Sequence, residues 1–258
     1  MYYLVFSNRP LLQLKFEIRS FASLYPKLFY PLMLVSGRYP GRSVQRNTEL
    51  VIEGFPRSAN SFSMGAFLSV QTRPIVLASH LHAAAQIIRA SRLSIPTILL
   101  IRQPVDAVIS LLSLELQTHN LSYSERDLLK LSLKKYLINW IAFYQQVKPY
   151  YNDYIIGLFD EVTKDFGAVI KKVNQRFKTD FNLFLHTEES VKLIHEQVGF
   201  HAGPSQKRQY LKPILIKHLD SDEMKLLIYE AEAIYREFEM LAKVNSIEKT
   251  KFKLRVER

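Results

Sequence analysis

Short apolar runs alternate with stretches of helical periodicity between residues 50 and 180, and this alternation constrains the fold more than any other feature. The runs are rich in Leu, Ile and Val and lie at 50–52, 75–77, 97–101 and 154–159. Strands that alternate with helices along a chain form a parallel sheet with helices on both of its faces. We therefore predict an α/β protein built on a parallel sheet flanked by helices.

Helices are predicted where apolar residues recur every three or four positions. These segments cover about 82–93, 123–148, 163–177 and 188–197. Pro104 indicates the first turn of another helix, since proline is favoured there. Ser221 is the expected N-cap of a last helix over 222–244. Because the strands end before residue 180, we predict a helical C-terminal layer.

The charge of the chain divides it into a nearly neutral body and two basic ends. Of the net charge of +11, residues 1–49 contribute +5 from seven Lys or Arg and two acids, and residues 243–258 contribute +4 from six and two. The 258 residues, 48% of them apolar, suit one globular domain. We predict a domain over 50–244 between a basic N-terminal extension (1–49) and a basic C-terminal tail (245–258).

The N-terminal extension has two interpretations. Residues 11–35 mix aromatic with basic side chains, which suits either a helix packed on the domain's own surface or an interfacial helix on a membrane. We favour the packed helix and keep peripheral membrane contact as the alternative. We expect no binding to nucleic acid, because residues 50–242 carry 22 basic and 20 acidic side chains and the excess is confined to the ends.

The composition excludes several classes of protein. The chain has no cysteine, which excludes disulfides, Cys-ligated zinc and thiol catalysis, and its histidines show no metal-binding spacing. The N-terminal run Leu28–Val35 is interrupted by Pro31 and is shorter than a membrane-spanning helix. We therefore predict a metal-free cytoplasmic protein, which associates with a membrane if the extension is interfacial.

The segment from Gly54 to Ser61 has the composition of an anion-binding loop. It joins a strand directly to a helix, so that backbone N–H groups and the positive end of the helix dipole meet at one point. Arg57, Ser58 and Ser61 add a guanidinium and two hydroxyl groups. A Walker A loop would carry Lys where this chain has Asn60, which argues against the alternative of a P-loop kinase.

The nine residues GFPRSANSF, from Gly54 to Phe62, resemble the 5′-phosphosulfate loop of the sulfotransferases that use 3′-phosphoadenosine 5′-phosphosulfate (PAPS). Ala59 stands where that family has Gly, and Asn60 stands where it has a hydroxyl residue. The methyl group of Ala59 lies where the loop needs an unusual φ. These departures keep open the alternative of a catalytically impaired, nucleotide-binding member of the same fold.

The resemblance implies a P-loop-like parallel sheet and the transfer of a sulfuryl group from PAPS, without a metal, to a hydroxyl or amine. The acceptor would be a small molecule, a lipid or a glycan. Arg57 would stabilise the leaving phosphate and would thus be catalytic. The loop residues implied to bind the donor are Arg57, Ser58, Ala59, Asn60, Ser61 and Phe62.

A second segment, Arg102–Ser110, resembles the family's 3′-phosphate motif, R-x-P-x-[DE]-[AV]-x-x-S. Independently of the family, Arg102 follows a buried strand, at the sheet edge where α/β proteins bind ligands. The resemblance continues at Phe159, which would lie near the adenine together with Phe62. It also implies that a late basic loop over 199–208 brings Lys207 and Arg208 to the 3′-phosphate.

His80 is the predicted general base. Sulfuryl transfer to a hydroxyl requires removal of a proton, for which a neutral imidazole is suited. Cytosolic sulfotransferases use the His of a [TS]-H-L-P segment, which Ser79-His80-Leu81-His82 resembles. His82 replaces the family's Pro and is a competing candidate for the same role.

Overall fold

The computed structural model describes residues 10–37, 40–118, 126–199 and 205–256. The strands are β1 (Leu50–Gly54), β2 (Leu77–Ser79), β3 (Thr97–Ile101) and β4 (Ile155–Leu158). The helices of the N-terminal half are α1 (Pro10–Leu24), α2 (Pro26–Ser36), α3 (Asn60–Ser69), α4 (Ala84–Arg92) and α5 (Pro104–Thr118). Those that follow are α6 (Arg126–Val147), α7 (Phe159–Lys164), α8 (Phe166–Phe177), α9 (Glu188–Val198), α10 (Gln206–Ile216) and α11 (Asp222–Val256).

The strands form one parallel sheet in the order β2-β1-β3-β4, which confirms the predicted α/β class. Side chains alternate between its two faces, as the pleat requires. Val51 and Leu99 pack into a core shared with α5, α6 and α11, whereas Ile52 and Leu100 pack into a second core shared with α3 and α8. Helices therefore cover both faces of the sheet, and the loop Gly54–Ser61 begins at the carboxyl end of β1.

The later helices form the predicted C-terminal layer, in which α10 packs against α5 and α11 packs against α6. The prediction of an irregular loop up to residue 208 was wrong for its described part. Ser205 is the N-cap of α10, accepting a hydrogen bond from the Arg208 backbone N–H, and residues 200–204 lie outside the described part of the chain. A capping serine followed by the buried Leu211 and Leu215 on one helix face accounts for this helix.

Three other boundaries differ from the prediction. Strand β2 lies two residues further along, at Leu77–Ser79. The predicted helix over 163–177 is two helices separated at Asp165, whose carboxylate caps α8 by accepting the Ala168 N–H at 3.0 Å. Helix α11 does not end near Val244 but continues to Val256, so the basic tail is helical up to that residue. The predicted start of a helix at 123 lies outside the described residues.

The described part of the N-terminal extension is mainly helical, and its two helices lie against the domain. Helix α2 packs on α4, and α1 packs on α4 and α6. The fully buried Gln86 of α4 joins the segments: its Oε1 accepts the Tyr30 hydroxyl at 2.7 Å and the Val44 N–H at 2.9 Å, and its Nε2 donates to the Arg42 carbonyl at 3.0 Å. Within the described ranges no helix is both long and apolar enough to cross a bilayer.

We expect Gln86→Leu to lower the free energy of unfolding by about 2 kcal/mol, because it leaves a buried N–H, a hydroxyl and a carbonyl without their partner. Urea unfolding of the variant and the wild type measures this loss. The matched control is Gln197→Leu, at an exposed position of α9, which should change stability little. Equal effects of the two variants would show that Gln86 does not hold the extension.

Candidate functional site

The loop between β1 and α3 is held in an unusual backbone conformation. Arg57 and Ala59 have φ of +70° and +71°, in the left-handed region that favours glycine. This confirms the unusual φ predicted for Ala59, and a residue with a Cβ pays about 1–2 kcal/mol there. Asn60 supports the loop from within: its buried Nδ2 donates to the Phe55 carbonyl at 3.0 Å.

The two segments singled out in the sequence meet at Arg57. Its Nε donates to Ser110 Oγ at 3.0 Å, across the gap between the loop and α5. Arg102 Nη1 in turn donates to the Arg57 carbonyl at 3.2 Å. The Arg102 guanidinium also lies 4.0 Å above the centre of the Phe159 ring, a cation–π contact. The fold thus joins residues that are 45 or more positions apart into one cluster.

A third guanidinium, that of Arg208 on α10, adds to the positive charge of this cluster. Burial lowers the pKa of Arg102 and of Arg208, and the charge of Arg57 lowers both further. The nearby Asp106 raises the pKa of Arg102 but forms its own ion pair with Lys212 at 2.7 Å. Mutual repulsion among partly buried cations is relieved by an anion, so the cluster is suited to bind a group such as phosphate.

Two adjoining cavities surround the cluster and share Arg57, Arg102 and Phe159. The first, which we call the loop cavity, has a volume of 290 Å³, and the second, the arginine cavity, 260 Å³. The remaining lining of the loop cavity is Ala59, Asn60, Ser61, Phe62, His82, Thr163, Val191 and His195. The remaining lining of the arginine cavity is Asp106, Ile109, Ser110, Ser113, Ser205, Arg208, Gln209 and Lys212.

Most of the residues predicted to bind a nucleotide line one of these cavities, but two do not. Ser58 is fully buried beneath the loop, and Lys207 is exposed on α10, pointing to neither cavity. Phe62 lines the loop cavity and also belongs to the core, with its ring in edge contact with Phe166 and Phe184.

Among the lining residues that the sequence did not predict, two carry a buried polar atom without a hydrogen-bond partner among the described residues. Ser113 lies one turn after Ser110 on α5, so its helical spacing indicates the same face, and its buried Oγ has no hydrogen-bond partner among the described residues. His195 of α9 contacts the Phe62 ring and lines the loop cavity, and its buried Nδ1 also lacks a partner there. No sequence signal identifies His195, because its position depends on how α9 packs.

The two candidate bases occupy different environments. His80 Nε2 lies 3.0 Å from Ser61 Oγ and its Nδ1 lies 3.1 Å from Ser79 Oγ, and His80 lines none of the cavities described here. His82 lines the loop cavity, and its Nδ1 lies 2.9 Å from the Gly54 carbonyl oxygen. Because a carbonyl only accepts, Nδ1 carries the proton, and in the neutral ring the lone pair is on Nε2.

The buried Glu53 positions His82. Its two carboxyl oxygens accept the N–H groups of Leu81 and His82, each at 2.8 Å, and hold the turn after β2, where His80 and His82 both have positive φ. Burial raises the pKa of Glu53 to about 8, although these N–H groups act in the opposite direction. Burial also lowers the pKa of His82 to about 3, so the ring is neutral at pH 7.

A third cavity, which we call the apolar cavity, meets the loop cavity at His82. Eight of its fourteen lining residues are aromatic, aliphatic or proline: Phe16, Leu24, Phe55, Pro56, Leu81, Leu111, Tyr136 and Phe143. The polar ones are Arg19, Ser20, Ser23, His82, Glu115 and Asn139. Glu115 accepts the Tyr136 hydroxyl, and burial raises its pKa to about 8. His82 therefore stands between a cationic cavity and a mainly apolar one.

Among the residues that the structure describes, no three His, Asp or Glu side chains are grouped so as to hold a metal ion.

Three comparisons relate the chain to known proteins. No protein-family model matches it, and no curated protein matches it. Among solved structures it is similar to the crystal structure of the mouse sulfotransferase SULT7A1 complexed with PAP, at 13% identity and a TM-score of 0.44, over 81% of this chain and 87% of that one. Conclusions on function therefore rest on the residues of this chain.

We expect Glu115 to make the protein less stable as the pH rises. Its pKa is near 8 when folded and about 4.5 in an unfolded chain, so between these values the folded state holds a proton that the unfolded state has lost. Stability then falls with rising pH by up to about 1.4 kcal/mol per pH unit. Glu115→Gln removes this titration and still accepts the Tyr136 hydroxyl, so it should gain stability relative to wild type as the pH rises.

Urea unfolding between about pH 4.5 and pH 8, the window that the two pKa values define, measures the difference. Glu196→Gln, at an exposed position of α9, is the control and should follow the wild type at every pH. A Glu115→Gln curve parallel to that of the wild type would contradict the raised pKa.

Proposed function

We propose that the protein is a sulfotransferase that transfers a sulfuryl group from PAPS to a hydroxyl or amine of an acceptor. One observation carries the proposal: the loop Gly54–Ser61 and the segment Arg102–Ser110 enclose two joined cationic cavities, and these meet an apolar cavity at His82. A donor with two phosphate groups needs two anion sites, and the acceptor needs a separate cavity. The base must lie between the donor and the acceptor.

The cavity-lining residues form two groups, one suited to each phosphate of the donor. Arg102, Ser110 and Arg208 would hold the 3′-phosphate in the arginine cavity, where the partnerless Ser113 hydroxyl offers a further hydrogen bond. Arg57, Ser61 and the first backbone N–H groups of α3 would hold the 5′-phosphosulfate in the loop cavity. When bound, PAPS supplies an activated sulfuryl group on a phosphate that leaves as an anion.

We assign proton removal to His82 in place of the predicted His80. His82 Nε2 takes the proton of the acceptor as the acceptor oxygen or nitrogen forms its bond to sulfur and the bond from sulfur to the 5′-phosphate breaks. Arg57 stabilises the charge that develops on the departing phosphate. His80 then acts on the site indirectly, through its hydrogen bond with Ser61. The support for His82 is its place at the junction of two cavities and the proton on Nδ1.

The lining of the apolar cavity favours an apolar acceptor with one hydroxyl or amine, such as a lipid or a small aromatic molecule, over a glycan. A sugar needs many polar partners, whereas this cavity offers mainly Phe, Leu, Pro and Tyr.

The kinase alternative finds no support at the site. Asn60, at the position of the Walker Lys, is buried, and its amide group bonds back to the loop. The alternative of an impaired member rests on Ala59 and Asn60. The left-handed φ of Ala59 is strained but its methyl group packs against the second core, and Asn60 lacks the hydroxyl group of the family. Turnover measurements separate it from an active enzyme.

We expect Arg102→Ala to weaken binding of adenosine 3′,5′-bisphosphate by about thirtyfold and binding of AMP far less, because only the former carries a 3′-phosphate. Ser110→Ala should show the same selectivity with a smaller loss, since a hydroxyl contributes less than a guanidinium. Isothermal titration calorimetry measures both affinities. Arg92→Ala, an exposed arginine of α4, is the control and should bind both nucleotides as the wild type does.

Equal losses of affinity for the two nucleotides would show that Arg102 does not bind the 3′-phosphate. Tighter binding of Mg²⁺-ATP than of the bisphosphate would contradict the proposed function and favour a kinase.

We expect His82→Asn to lower sulfuryl transfer by about 10²-fold while nucleotide affinity stays close to wild type. Asparagine tolerates positive φ, and its amide can still donate to the Gly54 carbonyl, but it has no basic nitrogen. His80→Asn is the matched variant, because His80 also has positive φ. The His80→Asn variant should lower sulfuryl transfer less than His82→Asn does. Turnover with labelled PAPS and a panel of apolar alcohols, phenols and amines measures both.

The reverse order, with His80→Asn inactive and His82→Asn active, would restore His80 as the base. Bisphosphate binding without turnover on any acceptor in the wild type would support the impaired alternative.

A further inference from the structure

Helix α1 presents an apolar stripe to the outside of the molecule. The stripe consists of Leu11, Leu14, Ile18 and Phe21 and continues at Tyr25, just after the helix. These side chains recur every three or four residues and are 72%, 51%, 52%, 58% and 38% exposed. A surface helix normally turns such a stripe towards the core. Here the stripe remains on the outside of a folded domain.

The opposite side of α1 is the more polar one. Arg19, Ser20 and Ser23 lie on it and line the apolar cavity, together with Phe16 and Leu24. Polar groups thus lie inward on this helix beside Phe16 and Leu24, while the large apolar side chains of the stripe lie outward. An exposed stripe of this kind indicates an apolar environment other than the domain itself.

Helix α2 extends the same surface. Its inner side is fixed by Phe29, which is buried against Leu81 and Ala83. Its outer side exposes Leu28, at 46%, and Val35, at 87%. The apolar surface thus runs over both helices, and the stripe and these side chains together form what we call the outer face.

The charge around the outer face is positive. Lys15 and Lys27 are exposed on the two helices, and the acid among them, Glu17, pairs with Lys135 of α6 at 2.6 Å. Arg38, Arg42 and Arg46 follow in the sequence. Long basic side chains beside an apolar stripe suit the boundary between anionic headgroups and acyl chains.

We infer that the outer face docks on an anionic lipid bilayer, with α1 and α2 lying in the plane of the interface. Charge decides between this partner and a second copy of the chain. An isologous dimer through the outer face would bring Lys15 and Lys27 towards their own copies, whereas acidic headgroups attract them. This inference is independent of the proposed transfer reaction.

Sedimentation with vesicles tests it, using phosphatidylcholine with phosphatidylserine and phosphatidylcholine alone. The full chain should sediment with the acidic vesicles at low salt and detach as salt rises. Ile18→Gln combined with Phe21→Gln should lower partitioning at least about tenfold, because two large apolar side chains no longer insert. Lys15→Gln combined with Lys27→Gln should lower binding to acidic vesicles but not to the neutral ones.

The matched control is Leu226→Gln combined with Tyr229→Gln on α11, where the side chains are 71% and 67% exposed. It should sediment as the wild type does, and thermal unfolding should show that all variants are folded. Failure of the wild type to sediment, or equal losses in the control and the Ile18/Phe21 variant, would overturn the inference. A wild-type dimer in solution that the Ile18/Phe21 variant converts to a monomer would assign the face to a second copy instead.

Discussion

The hydrogen bonds accepted by the buried carboxyl group of Glu53 hold the site together. They fasten the N–H groups of Leu81 and His82 to β1, the strand whose end also carries Gly54 and the loop that leads to α3. The ring of His82 returns to the same strand through the Gly54 carbonyl. Because a buried N–H or carboxyl oxygen that loses its partner costs free energy, the turn after β2 and the loop after β1 move as one unit.

Backbone strain and repulsion between like charges are concentrated beside these two segments. Arg57 and Ala59 have left-handed backbone conformations, and the guanidinium of Arg57 lies close enough to lower the pKa of Arg102 and of Arg208. Neither feature helps the domain to fold, and both lie on the same cavities. Strain and like-charge repulsion that persist at one place are typical of a site shaped for a ligand, which an anion would neutralise.

The sequence predicted the parts of the site that depend on local spacing. The loop from Gly54 and the pair Arg102 and Ser110 are separated by fixed numbers of residues within a strand–loop–helix unit, so their positions follow from the α/β pattern. Which of two residues adjacent or close in sequence, such as Lys207 and Arg208 or His80 and His82, lines a cavity could not be predicted in this way. Arg208 faces the arginine cavity and Lys207 does not, because a capped helix begins where a loop was expected, and the positive φ of both histidines gives their turn a shape that spacing does not show. Apolar periodicity likewise shows that α1 has a stripe but not which way the stripe points.

Helix α1 alone separates the apolar cavity from the outer face. Each of its residues therefore belongs to one of two surfaces, according to its angle around the helix axis. Inserting or deleting a single residue would rotate everything beyond it by about 100° and would bring side chains of the outer face into the cavity lining. The length of this helix is consequently constrained to change only by amounts close to whole turns, as the register of a coiled coil is.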